Sequence, residues 1–448
     1  MSTQRRVLVL GAGRVSGPVY EDLAGEKDVH VTAASRGILN LEQVHQFCPG
    51  ARLECVDIVQ DKNARDRLIA EHDIVVSLVH VSLVPDIVRA CVSLKKHLVA
   101  PCYVDPEVQK LHKEASDAGL TVLCELGINP GMDHMGATRT FDDIKRRGGT
   151  VTSYELLGGA LPAPECANNP LKYKFSWCPR NALWKYTKAS AYLKNGKMTE
   201  LPAGTAVMES AQDIDIGQGF KLESFPYGFN PRLLPLYGIE TVHTFFKGSM
   251  RYRGFCASIL SLMKLGLYRT STHDLLRTGA RGVTWRNYIC HELGLNYNVK
   301  DEILKLKVKD KLGGRDQLDI VQKLGFLGAE DIEPKGTPFD TFVCYMEKRR
   351  DFMMGPDERD VGLLVMTVTG SFPDGSSETR KLGLTVYGDA GKHTGMAKIV
   401  GHCLSSAVRL ILNGEITERG IVMPITPSVY KPLLAEMEKK GIAFVERK

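Results

Sequence analysis

A chain of 448 residues is too long for one ordinary core and predicts two or three domains of the usual ~100 to 200 residues. Its 43% hydrophobic and 25% charged residues suit a globular protein, and a formal charge of +6 over this length, with no Lys/Arg run longer than Lys348-Arg349-Arg350, argues against a nucleic-acid partner. No apolar run of about 18 residues and no signal-peptide core stands out, which argues against a membrane; eleven cysteines without a CxxC pair predict free thiols in the cytoplasm, and no metal centre.

Val7-Leu8-Val9-Leu10 reads as a strand buried on both faces, and Gly11-Ala12-Gly13-Arg14-Val15-Ser16-Gly17-Pro18 turns it into a helix. Gly11 permits the turn, and Gly13 lets the backbone approach a pyrophosphate over the positive end of that helix. Ser16 stands at the third fingerprint position, where glycine is usual, so the turn alone fits plain α/β packing as well as a nucleotide. The second strand, Val29 to Ala34, ends at Ser35-Arg36, where NAD-binding chains carry an acid for the ribose. A hydroxyl followed by a guanidinium suits a 2′-phosphate, so NADP(H) is preferred; the alternative is a solvated loop arginine.

Strand patterns continue at Leu53 to Ile58, Asp73 to Val79, His97 to Pro101 and Thr121 to Glu125, with helical periodicity at Ala64 to Glu71, Val84 to Leu94 and Pro106 to Ala118. Repeated βα units predict a doubly wound parallel sheet with ligands at the carboxyl ends of its strands. That rim carries Asp57, Ile58, Val79, Pro101, Cys102, Tyr103 and the turn Ile128-Asn129-Pro130. Asp133 and His134 form a candidate acid/base pair, although residues at a helix start more often cap it.

A strand at Val151 to Leu157 opens a second α/β domain, and Gly158 to Trp177 reads as a long loop, either a substrate cover or an irregular subunit contact. Residues 256 to 350 are helical in pattern. Strands Gly362 to Thr369 and Thr379 to Tyr387 flank the turn Phe372-Pro373-Asp374-Gly375-Ser376-Ser377, and Met396 to Asn413 is a helix stopped by Gly414. The tail from Ala435 is expected to return to the first domain.

The stretches Cys102-Tyr103-Val104-Asp105-Pro106, Leu126 to Met135, Gly159 to Glu165, Asn169 to Trp177 and Arg251-Tyr252-Arg253-Gly254-Phe255, together with the glycine turn, resemble the saccharopine reductase family, the NADP-dependent, glutamate-forming saccharopine dehydrogenases. The resemblance implies a variant Rossmann domain (1–130 and 393–448), an α/β substrate and dimerisation domain (131–258 and 351–392) and a helical insertion (259–350), in a stand-alone homodimer. It also implies reduction, with NADPH, of the imine formed from 2-aminoadipate 6-semialdehyde and L-glutamate. Carried over by residue, dinucleotide contacts fall on Ala12, Gly13, Arg14, Val15, Ser35, Arg36, Asp57, Ile58, Val79, Ile128, Asn129 and Pro130, to which the turn and the rim add Gly11, Pro101 and Cys102. Contacts to the amino-acid substrate fall on Cys102, Tyr103, Asn129, Ser249, Met250 and Arg251, and Trp177 of the long loop is a further substrate candidate.

Tyr103 is the candidate to orient the substrate or relay a proton, and Arg251, with Lys172 or Lys174 as helpers, to hold a carboxylate. Cys102 and Asn129 replace the family's Ser and Asp, and Phe225-Pro226-Tyr227-Gly228 replaces a Tyr-Pro-Asn-Arg whose Arg clamps a glutamate carboxylate. Losing such a charge-assisted contact, about 1.5 to 3 kcal/mol, predicts roughly ten- to hundredfold weaker binding unless another cation, such as Arg232, replaces it. The rival readings are an imine reductase joining a different amine and carbonyl compound, and a non-catalytic NADPH-binding scaffold.

Overall fold

In a computed structural model that describes residues 4–217 and 219–447, the chain forms two compact units. Unit 1 holds Met1–Leu156, Pro231–Val242 and Val361–Lys448, and unit 2 holds Leu157–Asn230 and His243–Asp360.

Unit 1 is built on a parallel sheet whose first strands are β1 (Arg5–Leu10), β2 (Val29–Ser35), β3 (Arg52–Cys55), β4 (Ile74–Ser77), β5 (His97–Val99) and β6 (Thr121–Leu123). Beyond it the chain forms β7 (Thr150–Pro162), β8 (Ser190–Lys194), β9 (Lys197–Leu201), β10 (Gln212–Ile214), β11 (Leu222–Pro226), β12 (Thr244–Tyr252), β13 (Asp360–Ser371), β14 (Ser377–Tyr387), β15 (Gly420–Val422) and β16 (Val445–Arg447). The parallel sheet runs β15-β6-β5-β4-β1-β2-β3, so its winding reverses between β1 and β4. In such a fold the reversal opens a crevice at the strands' carboxyl ends. Val7, Leu8, Val9 and Leu10 are fully buried because helices cover both faces, which is why β1 is a continuous apolar run.

Several element boundaries differ from the expectation for local reasons. The strand expected through Ile58 stops at Cys55, since the Asp57 carboxylate accepts from the backbone N–H of Val59 (2.9 Å) and Gln60 (3.2 Å) and turns the chain. The helix expected over Pro106 to Ala118 is two pieces, Pro106–Gln109 and His112–Asp117, joined where Leu111 bonds back only to Val108. Helix Gly395–Leu412 is long and apolar enough to cross a membrane by length and composition, contrary to the first reading, which Lys398 and Arg409 interrupt. It is a core helix: 78% of it is buried, and it packs on helix Gly17–Ala24 so closely that a Cβ on Gly401 would lie 2.8 Å from the Pro18 Cβ. The tail then adds β15 beside β6, while β16 pairs antiparallel with β14 and not with the parallel sheet.

In unit 2, β11 pairs antiparallel with β10 and β12, and β12 also pairs with β8. The β8–β9 hairpin, absent from the sequence reading, turns on Asn195 (φ +51°) and Gly196 (φ +74°), the Asn-Gly pair that a tight hairpin favours. The expected loop start Gly158-Gly159-Ala160-Leu161-Pro162 is instead the second half of β7. Gly159 belongs in that strand because Met250 lies 3.2 Å from where its Cβ would stand, and Pro162 ends the strand. Between residues 255 and 348 lie helices Phe255–Lys264, Trp285–Glu292, Asp301–Leu312, Arg315–Lys323 and Pro338–Lys348, with Trp285, Phe326 and Phe342 in ring contact.

Candidate active site

The glycine turn of unit 1 follows β1 at the reversal point. Gly11 has φ +115°, and a Cβ there would lie 2.9 Å from the Leu78 carbonyl, so both backbone conformation and space demand glycine. Gly13 differs: a Cβ would meet nothing within 4 Å, so internal packing does not explain the glycine, whereas close approach of a ligand does. Ser16, which fills the third fingerprint position, donates from its hydroxyl to the Gly13 carbonyl at 2.8 Å and locks the turn. Tyr20 donates to the Gly11 carbonyl at 3.0 Å, and Ala12, Arg14 and Val15 complete the loop ahead of the helix.

At the end of β2, Ser35 lies beside Arg36, whose side chain is 76% exposed and rests 4.0 Å from the Asp57 carboxylate. A guanidinium held this loosely on the rim remains available to a phosphate. Ile58 and Val79 pack at the edge of the parallel sheet's core. The neighbouring Cys102 thiol and burial push the buried Cys124 thiol up.

Pro101, Cys102 and Tyr103 leave the end of β5, and Ile128-Asn129-Pro130 that of β6; the Asn129–Pro130 peptide is cis. Tyr103 is 41% exposed, and its hydroxyl donates to Asn129 Oδ1 at 3.4 Å. Beneath it lies a group that sequence reasoning missed. Glu125, with φ +62°, donates its N–H to the Cys102 carbonyl (3.0 Å), and its Oε1 accepts from the Val104 N–H (2.9 Å), so it grips the Tyr103 segment on both sides. Its Oε2 lies 2.5 Å from His134 Nε2, and His134 Nδ1 meets the Tyr237 hydroxyl. Burial, then the nearby charges of Tyr154, Asp133 and Glu125, push the Tyr237 phenol well up. It therefore stays a donor to Nδ1, leaving Nε2–H for Glu125. Asp133 accepts from the Gly131 N–H at 2.7 Å. Asp133 and His134 are thus not an acid/base pair: the first braces the helix start and the second belongs to a buried chain.

In unit 2 the period of the strand sorts the predicted substrate residues. Ser249 and Arg251 share one face of β12, and Met250 faces the other way, against Gly159. Arg251 is only 3% exposed; its Nε and Nη2 donate to the Tyr186 hydroxyl at 3.1 and 2.9 Å, its Nη1 donates to the Met250 carbonyl at 2.5 Å, and its Cζ lies 4.8 Å from the Tyr173 ring centre. The expected helpers are elsewhere: Lys172 is exposed and donates to the Arg253 carbonyl, and Lys174 is tied to Glu358. The lysine beside Arg251 is Lys185, whose Nζ donates to Ser249 Oγ at 3.0 Å. Trp177 is half-buried in the segment that precedes helix Pro179–Trp184. Gly228 has φ +85°, with the Lys247 Cε 3.9 Å from where a Cβ would stand; Arg232 lies exposed ahead of helix Leu233–Tyr237 in unit 1.

Among the described residues, one group has the donor types of a metal site: His273, His291 and Glu292, with ligand atoms within 4.8 Å of one another. Arg269 already pairs with Glu292 at 2.6 Å. The spacing in sequence, with His273 far from the adjacent pair, hid this group.

Residues 7–123 match the family model described as the saccharopine dehydrogenase NADP binding domain, and residues 127–442 match that of the saccharopine dehydrogenase C-terminal domain. The chain belongs to the saccharopine dehydrogenase family. It is 31% identical over 452 residues to the NADP+-dependent, L-glutamate-forming saccharopine dehydrogenase of Pyricularia oryzae, covering 99% of both chains. It is also 34% identical over 447 residues to the mitochondrial alpha-aminoadipic semialdehyde synthase of Rattus norvegicus, of which it spans about half, 48%. The fold is shared with the apo L-Glu-forming saccharopine dehydrogenase of Saccharomyces cerevisiae (TM-score 0.88, 29% identity, 99% of each chain). A Legionella pneumophila homospermidine synthase solved with NAD has a related fold (TM-score 0.58, 8% identity, 99% of this chain and 91% of that one). As a member of this family the chain carries an NADP-binding domain, in agreement with the open Gly13 and the exposed Arg36.

Proposed function

We propose that the protein is an NADP(H)-dependent oxidoreductase acting on CH–NH bonds, with saccharopine as its amino-acid substrate: it interconverts saccharopine with 2-aminoadipate 6-semialdehyde and L-glutamate. The observation that carries the reading is Arg251, a buried guanidinium held by hydroxyl, carbonyl and ring in a chain of this family. Such a group suits the carboxylate of an amino acid. The dinucleotide, when bound, supplies or accepts the hydride. The turn from Gly11 to Val15 would hold its pyrophosphate, Ser35 and Arg36 its 2′-phosphate, and Asp57, Ile58, Val79, Pro101, Cys102 and Ile128 to Pro130 its remaining surface.

Hydride transfer to an imine asks the side chains mainly for position. Tyr103 is the group that orients the substrate or passes a proton, with Asn129 as its hydrogen-bond partner and Glu125 holding its backbone. Asn129 and Gly228 favour one second reading, reduction of an imine built from a different amine and carbonyl compound, because an acid and a guanidinium are missing there. Assays of saccharopine with NADP+, beside amines and aldehydes with NADPH, test both. Glutamate-forming turnover of saccharopine is expected; turnover only of other pairs would replace this substrate. A homodimer is the expected assembly, read by light scattering.

A further inference from the structure

Arg251 and Lys185 are two cations over one aromatic ring: the Arg251 Cζ lies 5.9 Å and the Lys185 Nζ 5.3 Å from the centre of Tyr186. Lys185 also faces the rings of Phe225 at 5.9 Å and Tyr227 at 5.0 Å. Their hydrogen-bond partners are the hydroxyls of Tyr186 and Ser249 and the Met250 carbonyl; among the described residues, neither has a carboxylate partner. Glu223, opposite Arg251 in the β11–β12 register, is turned to the N–H groups of Gly254 (3.2 Å) and Cys256 (2.6 Å) at the start of helix Phe255–Lys264.

Two like charges withdrawn from water without a counter-charge are costly, and aromatic faces compensate only in part. Burial, and then the charge of Arg251, pull the Lys185 ammonium well below the usual lysine range. The Lys185 ammonium has N–H donors beyond the one given to Ser249, and each terminal nitrogen of Arg251 keeps one N–H unspent. An anion with two acceptor oxygens satisfies both groups at once.

We propose that Lys185 is the second arm of the carboxylate site centred on Arg251 and the residue that makes unit 2 selective for an acidic amino-acid substrate. The proposal rests on the amino-acid-substrate reading given above, yet it concerns a residue outside every stretch that carried the family resemblance. It also bears on the loss at Gly228: Lys185, from the segment after helix Pro179–Trp184, brings a cation to the ring of the adjacent Tyr227.

The test uses the full chain. Melting temperature is followed against glutarate, L-glutamate and, separately, inorganic phosphate, for the wild type, Lys185→Met and the exposed control Lys188→Met. Glutarate and L-glutamate should raise the wild-type melting temperature, and the concentration needed should rise about ten- to hundredfold in Lys185→Met but not in the control. Without ligand, Lys185→Met should melt at or above the wild type, because a like charge has gone; NADPH affinity should be unchanged. A wild-type concentration dependence in Lys185→Met, no response of the wild type to either dicarboxylate, an equal response to phosphate, or an unliganded Lys185→Met that melts lower would each overturn the proposal. Saccharopine turnover separates the two readings. An unchanged KM in Lys185→Met removes the Lys185 assignment and leaves the reaction; Lys185-dependent dicarboxylate binding without saccharopine turnover does the reverse.

Discussion

Two clusters, one in each unit, bury polar groups in opposite ways. In unit 1 the buried Glu125 meets His134 and the Val104 N–H, and the part-buried Asp22 meets His402 at 2.8 Å, Lys440 at 2.6 Å and Ser405 at 2.5 Å. In unit 2, Arg251 and Lys185 face hydroxyls, a carbonyl and rings. Internal satisfaction makes a rigid frame, whereas cations left without a counter-charge mark where a ligand completes the structure. The contrast therefore separates residues that hold the protein together from those proposed to read its substrate.

The sharpest way to break it is Glu125→Ala. Leaving two buried donors, His134 Nε2–H and the Val104 N–H, without their acceptor at about 1 to 3 kcal/mol each should cost about 3 kcal/mol of unfolding free energy in denaturant titrations; a loss within error would mean the chain is not a frame. Arg251→Met should do the opposite, lowering kcat/KM for the amino-acid substrate about a hundredfold with a smaller change in stability, since removal of an unpaired buried cation offsets the lost bonds to Tyr186 and Met250. Destabilisation without a kinetic effect would reverse the two roles.

Asp22 sharpens the comparison through pH. Burial pushes its carboxyl up, but hydrogen bonds from His402, Lys440 and Ser405 outweigh this and hold it below the usual range. A folded pKa below the unfolded one, about 3.9, contributes stability that is complete above that value and is lost as pH falls through the folded one. Asp22→Asn should cost about 1 to 2 kcal/mol at neutral pH, with the gap to wild type closing below about pH 4. A gap constant down to acid pH would show that the ion contacts contribute nothing. The smallest effect is at the surface: Arg36→Ala should weaken NADPH about tenfold in fluorescence titrations and leave NADH unchanged, because the 2′-phosphate is the group this exposed guanidinium is proposed to hold.

What could be read in advance follows the same division. The parallel sheet was legible because burial on both faces writes itself as an apolar run, as in Val7 to Leu10, and the glycine turn because Gly11 and Gly13 serve geometry fixed within a few residues. Asn195-Gly196 carried an equally local hairpin signal that went unused. Alternation along Ser249-Met250-Arg251 would have set Met250 apart. The rest depends on distant partners. His134 meets a tyrosine 103 residues away, so its neighbour Asp133 looked like the natural companion. Lys185 gains meaning only when Ser249, 64 residues on, comes beside it. Gly158 to Pro162 looked like loop because close approach of Met250, not flexibility, demands Gly159.

The most direct measurement of the central claim is to mix the purified protein with saccharopine and NADP+ and follow NADPH formation, with L-glutamate and the semialdehyde quantified by mass spectrometry. The account predicts one NADPH per glutamate released and little activity when NAD+ replaces NADP+. Tight NADPH binding with no saccharopine-dependent reduction, while the protein remains folded, would contradict it.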